Sequence, residues 1–216
     1  MKQKSFLSIL FLILLFISCS SKEKIVLHSQ KEKIPGLNYS YVIPEYSEYP
    51  EFSKLIEDTL KKDFEKYKSF AQSEWERESE DVFTYRTLFE DFSNKEYLNV
   101  FIKKYIYCGP SMEDEYFITF CWDKKQNKQV FIDDVTGMTE LELMDYCRKY
   151  VKSHLEDVSK GAKAFVEDTI DRSLDEDIEN YSHFVASKKQ VIIHFATGDS
   201  APKGYGPQLV EIKRRK

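Results

Sequence analysis

The chain has 216 residues with 32 basic against 37 acidic side chains, a net charge of −5 at pH 7. That balance excludes the basic face that nucleic-acid binding needs. The length suits one compact domain or two small halves sharing a sheet, and no internal repeat or low-complexity segment divides it.

Lys2 and Lys4 precede an apolar run from Phe6 to Ile17 that is broken only by Ser8, and no acidic residue occurs before Glu23. The run is short for a bilayer crossing but has the length of a signal-peptide core. FISC, ending at Cys19, resembles the bacterial lipobox, with Phe16 where leucine is usual. Residues 1–18 are therefore expected to be a lipoprotein signal peptide and Cys19 the lipidated residue. Such a protein is anchored in a membrane on the extracytoplasmic side, in the periplasm or at the cell surface. A plain secretory signal and a short membrane anchor are the alternatives. Without Lys2 and Lys4 the mature chain keeps 30 basic and 37 acidic residues, a net charge near −7. Residues 19–37 are expected to be the lipidated cysteine and a flexible tether, because Ser20–Lys33 is mostly polar and rich in lysine.

Tyr39–Ile43 reads as the first strand, ending at Pro44, and Pro50 can occupy the first position of a helix. Phe52, Leu55, Ile56, Leu60, Phe64 and Tyr67 recur at steps of three and four, which predicts an amphipathic helix to about Phe70. The texture then changes to alternation. Val82–Phe92, Tyr97–Tyr107, Tyr116–Trp122 and Gln129–Ile132 predict a meander of antiparallel strands. In TELE, Thr139 can cap a helix and Glu142 can close a capping box, with Leu143, Met144, Cys147, Tyr150, Val151 and Leu155 on its inner face. After a break at Ser159–Gly161, a second helix would turn Phe165, Val166, Ile170 and Leu174 inward. Three short strands close the chain, around Phe184–Ala186, Val191–Phe195 and Leu209–Ile212. The class is α+β: a meander sheet with about three helices, one after the first strand and a pair before the last strands. Residues 38–135 and 136–213 form the two halves of one domain.

Outside the cytoplasm Cys108, Cys121 and Cys147 are free to pair, but an odd number leaves one thiol over. Cys147 sits at an apolar helical position and reads as a small buried hydrophobe. A symmetric turn at Ser111–Asp114 would set Cys108 opposite residue 117, not opposite Cys121.

Phe131–Gly137 (FIDDVTG) is similar to the aspartate motif of polysaccharide deacetylases, but no two histidines lie four apart to complete a metal site. It reads better as a strand end, a turn and a helix start. His183 and His194 each lie about six residues from the centre of a turn at Ser187–Lys189, and with Asp199 they form the one candidate zinc set. The bland reading of the pair is solvent-facing. No nucleophile elbow, Walker loop or paired-cysteine motif is present, so no catalytic centre is visible and no cofactor is called for.

Thr197–Ile212 (TGDSAPKGYGPQLVEI) holds three of the seven glycines and two of the six prolines, and it joins two strands. Pro202, Gly204, Gly206 and Pro207 can fix one loop conformation around Tyr205. The ring is either presented to a partner or packed inward. The neighbouring turn Cys108, Gly109, Pro110 to Asp114 is the second part of this candidate binding surface.

SAPKGYGPQLVEI resembles the closing motif of the extracytoplasmic domain family shared by the anti-sigma factor RsiV and the non-catalytic part of the peptidoglycan deacetylase PdaC. Ala201, Pro202, Gly206, Pro207, Val210, Glu211 and Ile212 match it. YVIPEYSEYPEFSKLIEDTL and FIDDVTGMTELELMDYC are similar to that family's opening strand with its helix start and to its Asp-x-x-Thr-Gly turn. The likeness covers about residues 38–213. One departure stands out: the family's Gly-Ala-His type turn is Cys108-Gly109-Pro110 here. The resemblance implies a domain that binds and need not catalyse, with lysozyme sensing in the anti-sigma factor and a cell-wall location beside the deacetylase. A bacterial envelope lipoprotein with a non-catalytic ligand-binding domain is therefore expected, its ligand lysozyme or a wall-associated molecule such as peptidoglycan. The alternatives are a metal-dependent wall hydrolase using His183, His194 and Asp199, and a purely structural envelope lipoprotein.

Overall fold

The computed structural model describes residues 24–78, 82–107, 113–155, 163–174 and 181–214. The expected signal peptide, residues 1–18, with Cys19 and the turn residues Cys108, Gly109 and Pro110, lies outside them.

Residues 25–34 of the expected tether form the first strand. β1 (Ile25–Ile34) pairs antiparallel with β2 (Leu37–Tyr46) through a two-residue turn at Pro35-Gly36. Gly36 has φ +74, a conformation open to glycine. Its lysines and glutamate make β1 look like a linker, but they decorate a sheet edge, where charge discourages pairing with other chains. The Pro-Gly dipeptide is the mark that this hairpin leaves in the sequence.

α1 (Pro50–Glu78) runs beyond the expected end at Phe70. Its stripe of Phe52, Ile56, Leu60, Phe64, Tyr67 and Ala71 is buried against Leu37, Tyr41, Tyr85, Leu98, Val100, Ile102, Phe120 and Trp122 of the sheet. Each large side chain removed from water contributes roughly 2 kcal/mol, so this face outweighs the helix's modest intrinsic propensity. Among these contacts Tyr85 donates to Asp63 of α1 at 2.8 Å, and Lys104 reaches the same carboxylate at 2.9 Å.

β3 (Phe83–Asp91), β4 (Tyr97–Tyr107), β5 (Asp114–Asp123) and β6 (Lys128–Gln129) complete a six-stranded sheet in sequential order. The meander is antiparallel except at one place, where β3 runs parallel to β2 from Leu37↔Phe83 to Ser40↔Arg86. A long helical crossover returns the chain in its original direction, which a hairpin cannot do. The β4–β5 register pairs Ile106 with Asp114, Lys103 with Phe117 and Asn99 with Cys121. Residue 117 is therefore not Cys108's partner, because the turn is centred earlier than expected.

FIDDVTG forms its own helical turn, α2 (Ile132–Thr136), ended by Gly137 at φ +63. The Asp134 carboxylate accepts the Phe131 N–H at 3.0 Å, so this aspartate starts a helix. α3 (Glu140–His154) carries the expected capping box between Thr139 and Glu142. α4 (Lys163–Ser173) buries Val166 and Ile170, with Leu174 just past its end, whereas Phe165, read as inward, is 63% exposed. Helical spacing admits only one stripe, and Val166–Ile170–Leu174 holds it.

β7 (Phe184–Ala186), β8 (Gln190–Phe195) and β9 (Gln208–Lys213) form a second antiparallel sheet. One face packs on α3 and α4 through Phe184, Val191, Ile193, Phe195, Val210 and Ile212, and the buried thiols of Cys121 and Cys147 belong to this core. Burial pushes both thiols up to about 12. At the seam with the first sheet, β7 lies against β4 and β5. There the buried Asn99 donates to Ala186 O at 2.9 Å and accepts from Ala186 N at 2.8 Å, serving β7 as a neighbouring strand would. The α+β class stands, with nine strands in two sheets and four helices among the described residues.

Candidate functional site

The loop after β8 is built from its first residue upward. Asp199 accepts the Ala196 N–H on its carboxylate at 3.2 Å, and its own N–H returns to Ala196 O at 3.0 Å. Gly198 sits at φ +99, and a Cβ there would lie 3.2 Å from Cγ of Lys203, so the lysine stem covers it. Ser200 and Ala201 are buried and pin the loop to the protein. Pro202 then leads into a 3-10 turn over Lys203–Tyr205, and Gly206 leaves it at φ 68, ψ −168. That backbone region belongs almost entirely to glycine. Gln208 Nε2 closes the loop by donating to the carbonyls of Tyr205 at 3.0 Å and Gly206 at 3.3 Å. Tyr205 is not packed inward: it is 39% exposed on a braced loop.

Lys203 Nζ lies 3.9 Å from the Asp114 carboxylate, which sets the loop beside the start of β5. The loop and the β4–β5 end are thus neighbours, although Cys108, Gly109 and Pro110 are outside the described residues. Around this junction lie Glu113, Asp114, Glu115 and Asp199 against Arg86, Lys103 and Lys203. Arg86 reaches Glu113 at 3.3 Å and stacks over the Tyr105 ring at 4.6 Å. Burial raises the Asp199 carboxyl above its usual range, the Glu115 charge adds to this, and the Ala196 N–H opposes it. Burial, then a hydrogen bond to Glu115, raises Tyr105. The surface offers an exposed tyrosine beside an excess of carboxylates. Glu115 escaped the sequence reading, which ended the turn at Asp114, because an acid at a strand start normally means only solvation.

The candidate zinc set does not assemble. His183 and His194 do face each other, with the backbone N–H of His194 donating to His183 O at 2.7 Å, but they are only partly exposed. They turn into the seam between the sheets, His194 4.6 Å from the Phe101 ring and His183 6.2 Å from Phe117. Burial holds both imidazoles down near pKa 4. Asp199 is engaged with Ala196, and the described residues contain no group of three or more His, Cys, Asp or Glu side chains that could hold a metal ion. A strand pair places two ring ligands together, but the third residue follows a turn that leads away.

No helix among the described residues is long and apolar enough to cross a membrane.

Residues 87–215, more than half of the chain, match the family described as "Protein of unknown function (DUF3298)". A DUF3298 family protein from Pseudomonas aeruginosa PAO1 has a similar structure, with TM-score 0.65 at 11% identity over 89% of this chain and 91% of that one. A second, from Bacteroides fragilis NCTC 9343, gives TM-score 0.59 at 13% identity over 88% and 91%. At these identities the likeness shows the fold. No curated protein matches the sequence. The fold is thus shared along nearly the full length of two solved relatives, and the sequence match begins within β3 and takes in the presented loop: the chain belongs to the DUF3298 family.

Proposed function

We propose that this DUF3298 protein is a bacterial envelope lipoprotein, tethered through Cys19, whose domain binds a ligand and does no chemistry on it. The ligand that fits best is a basic protein of the lysozyme type, with a wall-associated molecule such as peptidoglycan as the second choice. The motifs shared with the RsiV and PdaC domain family supply that class of ligand. The observation that carries the reading is the braced loop, with Tyr205 exposed and Lys203 3.9 Å from Asp114. Around it, Glu113, Asp114, Glu115 and Asp199 stand against Arg86, Lys103 and Lys203, a balance that suits a cationic partner. Tyrosine is among the residues that carry most binding energy at interfaces, and a rigid loop loses little entropy when it docks.

Calorimetric titration of lysozyme into the protein, at low and at physiological salt, tests this. The expected result is binding that survives the higher salt and weakens at least about tenfold in Tyr205→Ala, with unfolding unchanged. Binding that vanishes with salt would reduce the interaction to charge attraction. An undiminished Tyr205→Ala variant would place the contact elsewhere.

A further inference from the structure

Two histidines occupy the seam between the sheets and have no role in the surface just described. His183 and His194 are cross-strand neighbours on β7 and β8. Nδ1 of His183 and Nε2 of His194 are both buried and have no hydrogen-bond partner. The rings are packed by carbon instead: Phe92 at 6.2 Å and Phe101 at 4.6 Å from His194, Phe117 at 6.2 Å from His183. Two residues beyond His194, Ala196 is buried in the same small cluster as Phe101 and Phe117. The first turn of the loop hangs from Ala196 through both of its backbone hydrogen bonds with Asp199.

We infer that His183 and His194 form an acid-sensitive latch: neutral, they seal the seam, and on protonation they part it and release the loop Ala196–Gly206 from the first sheet. Each ring would gain one proton from solvent and one positive charge. A cationic imidazole needs acceptors for both N–H groups, and in the closed seam one nitrogen of each ring has none. The second charge would also sit beside the first. The surroundings give little help. Lys103 and Lys104 of β4 oppose protonation, and β9 sets the apolar Leu209 opposite His194. Glu90 of β3 favours a charge on His194, but it is already held by Lys103 at 2.7 Å. Asp199 and Glu115, farther along the loop and β5, interact with each other. Opening the seam gives both rings water. This differs from simple acid unfolding because the cost is local to one seam, while α1 and its core contain no histidine. The inference does not depend on the ligand's identity.

Hydrogen exchange read by mass spectrometry, corrected for the intrinsic pH dependence of exchange, tests the latch. Between about pH 7 and about pH 4.5, protection of amides 196–206 is expected to fall by roughly tenfold while amides in α1 stay protected. His183→Phe/His194→Phe should keep the loop protected at both pH values. Should that double variant not fold, His194→Phe, whose ring joins Phe92 and Phe101, should show a reduced loss. The latch is overturned by a loop whose protection does not change, by variants that lose protection as the parent does, or by equal loss in α1. Imidazole signals of both histidines titrating near their usual value with the loop still protected would overturn it as well.

Discussion

Gly36 shows how one missing methyl can fix a turn. Its φ of +74 is strained for any other residue, and a Cβ built there would stand 2.4 Å from Cγ of Trp75. The close approach seats the β1–β2 turn on the last turns of α1. Gly36→Ala is expected to cost about 3 kcal/mol, from backbone strain and overpacking together. Urea unfolding measures it, and a loss below about 0.5 kcal/mol would show that the turn does not rest on Trp75. Gly206 differs in kind: nothing lies within 4 Å of its Cβ position, so only its backbone conformation demands glycine. The sequence marks both as loop glycines, and only the structure separates them.

Elements are joined here by polar side chains at a few points. Asn99 is fully buried, and its amide satisfies both backbone groups of Ala186 as well as Phe92 O at 3.2 Å. Asn99→Ala strands the buried Ala186 N–H, while Ala186 O keeps the Asn94 amide at 2.8 Å, and should cost about 2 kcal/mol. The loss should be cooperative, because β7 both edges the second sheet and contacts the first. A thermal melt that splits into two transitions would show instead that Asn99 joins the sheets without supporting either. The sequence cannot mark this role: an asparagine among YLNVFIKKYIY interrupts a good strand, and its partner lies 87 residues away. Arg214 extends the same idea, reaching the Tyr97 hydroxyl at 2.8 Å and Ser187 O at 3.1 Å.

At the scale of the molecule, two helix-on-sheet cores meet at a seam that contains histidine, and this sets the acid response. Above pH 6.5 both imidazoles are neutral in the folded and the unfolded chain, and stability does not depend on them. As the pH falls from 6.5 toward about 4, the unfolded chain takes up protons that the folded chain refuses, so stability is lost across that window. Below about 4 the folded chain accepts them too, and this loss levels off. The raised carboxyl of Asp199 works in the opposite direction and offsets a part. Stability curves for the parent and for His183→Phe/His194→Phe should diverge as acid is added, the parent losing more. Parallel curves would mean that the histidines do not govern the response.

Much of this molecule is legible in the order of its residues, for a physical reason: helix stripes, strand alternation and caps are local. The stripe from Phe52 to Tyr67, the capping box at Thr139 and Glu142, and the three closing strands are all set by neighbours within a few positions. Pro202, Gly206 and Pro207 likewise mark the candidate loop through their own backbone preferences. Contacts between distant residues have no such local signature. That β1 is a strand depends on the facing β2, and the parallel pairing of β2 with β3 depends on where α1 sets the chain down. The presentation of Tyr205 depends on Ala201 being buried, Asp114 being near and Gln208 folding back. The histidine pair is visible in the sequence as a spacing about a turn. Its placement between phenylalanines of another sheet is decided only when two surfaces far apart in sequence close on each other and exclude water.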